Sequence, residues 1–80
     1  MLNKFKETMD YLYSDAKEQA TRYRNLDANV ADCYFEFSHE LYGVTAVAMR
    51  ICTAEEHVAT WNYATELRNK FWEEEVQGVR

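Results

Sequence analysis

Glu36 and His39 stand one helical turn apart in the run CYFEFSHELYG, Cys33 to Gly43. A Glu-x-x-His pair at this spacing binds metal in di-iron carboxylate bundles, where it occurs on two helices and points into the core with carboxylates from the others. Here the pair occurs once, and on a helical wheel both residues fall on the polar side of their helix. A solvated pair is expected, and no metal site. His39-Glu40 begins no His-Glu-x-x-His zinc motif, because position 43 is glycine.

Other reactive side chains form no pattern for catalysis. Cys33 and Cys52 lie nineteen residues apart without metal-type or redox-type pairing, which fits reduced thiols. Neither has a histidine at a recognised catalytic spacing, and no glycine-rich phosphate loop is present. His57 follows Glu55 and Glu56, whose charges suit the positive end of a helix. The sequence assigns no catalytic, cofactor-binding or metal-binding residue, and the expectation is that the protein is not an enzyme. A small metal-binding or enzymatic helical protein, its site assembled in space from single residues, is the weakest alternative.

Charge narrows the partners. Nine Lys and Arg against fourteen Asp and Glu give a net charge of -5, which disfavours nucleic acid, whose phosphates are held by clustered cations. Residues 25 to 66 hold seven acids and one base, Arg50. The run Glu73-Glu74-Glu75 reads as a solvated helix surface flanked by Arg68 and Lys70. Together with the acidic side of the central segment it could imitate a nucleic acid and occupy a basic groove, which makes an acidic mimic the alternative function.

These residues must be positioned by helices. The chain of 80 residues has two glycines and no proline, too few turn residues for a domain of short strands. Leu2, Phe5, Met9, Leu12, Ala16 and Tyr23 recur at helical spacing, with Gln19 in the same seam, and predict a helix over about 2–24. Asn25 or Asp27 is the expected cap of a second helix, about 27–52, whose seam is Val30, Tyr34, Phe37, Leu41, Val44, Ala48 and Ile51. That pattern keeps its phase through Gly43, which favours continuity over a kink or break there. Thr53-Ala54-Glu55-Glu56 is a capping box opening a third helix, about 54–77, with Val58, Trp61, Ala64, Leu67 and Phe71 on one face and an end near Gln77-Gly78. The expected fold is all-α: one domain over 1–80, an antiparallel three-helix bundle.

The second helix carries a further apolar row at seven-residue spacing: Ala28, Phe35, Tyr42 and Met49. It either widens the core face of a central helix or lies outside the core as a contact patch. The candidate partner-binding residues are Phe35, Tyr42 and Met49 with the acidic Asp32, Glu36 and Glu40. A chain this short buries only about 60% of its unfolded surface, so self-association into a homodimer is expected. No apolar run is long enough for a signal peptide or a membrane span, and a cytoplasmic protein without membrane contact is expected. The functional expectation is a small acidic interaction module with a protein partner, of the kind a phage or mobile element uses to inhibit a host enzyme or defence system.

Overall fold

The computed structural model describes residues 1–78. Three helices, α1 (Leu2–Asn25), α2 (Ala31–Ile51) and α3 (Ala54–Phe71), pack against one another as an antiparallel bundle, and a π-helical segment, Trp72–Gln77, prolongs α3. The bundle is 42 Å long and 16 Å across. No strand occurs among the described residues, and none of their helices is long and apolar enough to cross a membrane.

Each helix contributes small and large residues to one core: Met9, Ala16 and Ala20 from α1, Cys33, Phe37 and Leu41 from α2, and Ala64, Leu67 and Phe71 from α3. Alanine lets the neighbouring helices approach, and the rings fill the space between them. Phe37 lies 5.3 Å from Phe71 and 6.0 Å from Tyr13, centroid to centroid, so one aromatic cluster joins all three helices. Helix α2 runs unbroken through Gly43, as its apolar phase predicts.

The first turn differs from the expectation. Asn25 is the last residue of α1 and caps nothing, and α2 begins at Ala31 rather than near residue 27. Asp27 instead adopts φ 59°, the left-handed position that ends many helices. Ala28 N–H donates to Tyr23 C=O (2.8 Å) and Asp27 N–H to Arg24 C=O (3.1 Å), the paired bonds of a Schellman motif. Aspartate tolerates this conformation better than most residues, but it lacks the glycine signal by which such an end is read. Asn29 Oδ1 then accepts the Ala31 N–H at 3.0 Å and leads the chain into α2.

The second turn is as expected. Thr53 Oγ1 accepts the Glu56 N–H and Glu56 Oε1 accepts the Thr53 N–H, each at 3.1 Å. These bonds satisfy two backbone and side-chain demands at once and fix where α3 starts.

Two threonines shift the core of α2 and α3 away from the expected seam. Thr45 and Thr60 are buried, each seven residues from the Cys52-Thr53 connection, so they lie at the same level of the antiparallel pair. Thr45 Oγ1 donates to Tyr42 C=O and Thr60 Oγ1 to Glu56 C=O, both at 2.8 Å. A hydroxyl satisfied by its own helix enters an apolar contact at little cost. Val58, Trp61 and Ile51, which the periodicity places in the seams, are displaced outward and are exposed.

Candidate protein-interaction face

Phe35, Tyr42 and Met49 are 58%, 59% and 56% exposed, which places the whole row outside the core of the single chain. Phe35 and Tyr42 lie on the flank of α2 next to α3, and Met49 continues their line at the same seven-residue, roughly 10 Å spacing. Side chains of α3 extend the row. The Tyr42 and Trp61 rings meet edge to face at 6.5 Å, and the Arg68 guanidinium lies 5.7 Å from the Trp61 ring centre. At one end Tyr34 packs edge-on against Phe35 (5.6 Å) and Trp72 (4.9 Å).

A shallow pocket between Phe35, Ser38, His39, Tyr42 and Arg68 lies within this face. Ser38 Oγ is buried and has no hydrogen-bond partner among the described residues. The face thus combines aromatic bodies with a guanidinium, a mixture suited to binding protein surface.

The acidic members of the predicted site separate from the row. Glu36 and Glu40 line a groove of about 540 Å³ between α1 and α2, together with Asp15, Gln19 and Cys33, while His39 touches both this groove and the aromatic pocket. Burial and the charges of Asp15 and Glu36 push the Glu40 carboxyl above its ordinary range. Burial, and then the charges of Glu36 and Asp32, push the Cys33 thiol up, which makes it a poor nucleophile. Asp32 is exposed in the first turn of α2, where its charge favours the helix start. Glu36 and His39 are both exposed, as the helical wheel predicts. Among the described residues no three His, Cys, Asp or Glu side chains come together as a metal-holding group.

The C-terminal acids are not a free surface. Glu75 is only 8% exposed and sits 3.0 Å from Arg24 and 4.0 Å from Lys17, while Glu74 sits 3.3 Å from Lys17 and accepts the Tyr13 phenol proton. Two of the three glutamates expected to face solvent therefore hold α1 to the end of the bundle. A partial signal for this exists in the sequence: the phase Ala64, Leu67, Phe71 continues onto residues 74 and 75, while the cations that meet them are set only by the packing of α1.

Periodicity alone missed Trp61 as a member of the exposed face. Its rule admits only apolar residues to the core and so passes over Thr60, whose burial turns Trp61 outward. The fold and face define an all-α three-helix bundle with an uncovered aromatic flank. No family model, no curated protein and no solved structure matches the chain.

Proposed function

We propose that the protein is a binding module that works by occupying a protein surface with the aromatic flank of α2 and α3. The observation that carries this reading is the line Phe35, Tyr42 and Met49, each more than half exposed and continued by Trp61. Large apolar side chains in a contiguous exposed patch mark contact sites, and aromatic, methionine and arginine side chains are the usual anchors of such contacts. Occupancy alone inhibits an enzyme or defence complex, so an accessory inhibitor from a phage or mobile element is the role that this size and surface suit, by analogy with such proteins.

Imitation of nucleic acid by carboxylates is less well supported. Glu74 and Glu75 are engaged by Lys17 and Arg24, which removes them from the array that such a mimic would present.

The test compares immobilised wild-type protein with Tyr42→Glu and Glu73→Ala proteins, all challenged with the same native-host lysate. A partner held by wild type and Glu73→Ala, retained in about 0.5 M salt and lost by Tyr42→Glu, supports the apolar face. A partner released by salt and indifferent to Tyr42→Glu overturns it in favour of charge mimicry.

A further inference from the structure

We infer that α2 pairs antiparallel with α2 of a second copy of this chain, about a twofold axis passing beside Gly43. The inference rests on the reading of the aromatic row as an interaction face, and has a second copy of the chain, rather than a host protein, cover that row.

Glu36, Gly43 and Arg50 follow one another at seven-residue spacing, about 10 Å per step, along the exposed edge of α2 nearer α1, where Glu36 also lines the groove with Asp15 and Gln19. The line of Phe35, Tyr42 and Met49 runs parallel to it, with His39 and the half-buried Ala46 between the two. A twofold axis across antiparallel helices reverses such a line, so its two ends meet each other and its middle meets itself. Glu36 of each copy then faces Arg50 of the other, and Gly43 faces Gly43. The neighbouring line behaves likewise: Phe35 falls toward Met49 of the second copy, and Tyr42 lies near the axis. Opposite charges at the ends, a bare backbone in the middle and apolar side chains alongside make the face complementary to itself. An unrelated partner gives no reason for that order.

Gly43 is the independent observation. Glycine inside a helix is unfavourable, and the single chain has no use for it: its φ is not positive, and a Cβ there would meet nothing within 4 Å. That open space leaves room for another backbone to approach closely, a use that glycine serves. The charged pair is likewise free to be used. Among the described residues neither Glu36 nor Arg50 forms an ion pair, and Arg50 donates only to the Ala46 carbonyl within its own helix, at 3.0 Å.

Sedimentation equilibrium of the full chain between about 1 and 100 µM tests the pairing, a range that brackets ordinary micromolar dimers. Wild type is expected to dimerise. Glu36→Arg and Arg50→Glu should each weaken the dimer about tenfold or more, since symmetry doubles each like-charge contact. An equimolar mixture of these two variants should restore association as a heterodimer, because every Arg then faces a Glu. Gly43→Leu should remain helical by circular dichroism and become monomeric. A wild type that stays monomeric overturns the second-copy inference and leaves the interaction face to be judged by the Tyr42→Glu capture experiment. A dimer broken by Tyr42→Glu but indifferent to both charge reversals and to Gly43→Leu overturns the antiparallel register while sustaining the face.

Discussion

Arg24 Nη2 lies 3.0 Å from Glu75 Oε1, a contact that ties the last turn of α1 to the π-helical segment at the far end of the chain. The carboxylate is nearly buried and the guanidinium one-third exposed, so the pair sits between a surface bridge and a core ion pair. Lys17 and Tyr13, on the same side of α1, hold the adjacent Glu74. The end of the third helix is thereby held to α1 by polar contacts, beside the packing of Phe71, Trp72 and Val76.

Glu75→Ala is expected to lower stability by about 1–2 kcal/mol, less than for a fully buried pair because Arg24 regains water. Glu73→Ala, one or two residues from the same contacts, should stay within about 0.5 kcal/mol of wild type. Urea denaturation of both variants checks the contrast, and equal effects would mean that the bridge contributes nothing.

Stability should fall at both extremes of pH through the tyrosine–carboxylate pairs. Burial, and then the hydrogen bond to Glu74, raise the Tyr13 phenol, and the hydrogen bond to Asp10 pushes the Tyr63 phenol up to about 12. A raised phenol contributes fully below its unfolded value near 10, and the contribution is lost as pH rises through the folded value. Glu74 has the opposite sign: the Tyr13 hydrogen bond lowers its carboxyl, so its contribution is present above the ordinary value of 4.5 and is lost as pH falls through the lowered one. Ultraviolet phenolate titration should show a component near 12 that Tyr63→Phe removes. Tyr13→Phe should flatten the acid limb of the stability curve, as measured by thermal melting.

Thr53→Ala is expected to cost about 1 kcal/mol, since it removes the side-chain acceptor for the Glu56 N–H. The bonds from Thr53 hold the Glu56 carboxyl below its ordinary range, so part of this stabilisation disappears as pH falls through that lowered value. Chemical denaturation near neutral pH measures the cost. An unchanged midpoint would show that the start of α3 is fixed by packing alone.

The capping box and the phase through Phe37 and Leu41 are legible in the sequence because local chemistry and apolar spacing agree there. The turn at residues 26–30 is not, because Asp27 occupies a left-handed position with a side chain that gives no such signal. Thr45 and Thr60 look like surface residues until their hydroxyls are seen to bond their own helices. Glu75 looks solvated until Arg24 is brought to it by the packing of α1, a contact between residues 51 positions apart. The aromatic row itself is readable from its seven-residue spacing. Its position outside the core is decided by which residues α3 places behind it.

Asp27→Gly should stabilise the fold by about 0.5 kcal/mol, because glycine takes the φ of 59° without a Cβ penalty and, among the described residues, the Asp27 carboxylate forms no ion pair. Thermal melting of the variant is sufficient. A lower midpoint would mean that the flexibility glycine adds to the unfolded chain outweighs the relieved strain.

Phe35 and Phe37 separate the interaction face from the core in one comparison. They are the same residue type two positions apart on α2, yet Phe37 is 1% exposed and touches Tyr13 and Phe71, whereas Phe35 is 58% exposed. Phe37→Ala opens a cavity between all three helices and should cost about 3–5 kcal/mol, a large part of what holds a domain of this size. The loss should be the same at every protein concentration. Phe35→Ala removes little internal packing, so under dilute conditions its cost should be below about 1 kcal/mol. When the face is covered, truncation of Phe35 also removes intermolecular contact, and the deficit should grow as concentration rises. Thermal melting of both variants and wild type at two concentrations a hundredfold apart measures this. A Phe35→Ala deficit that is large and independent of concentration would return the aromatic row to the core of the single chain.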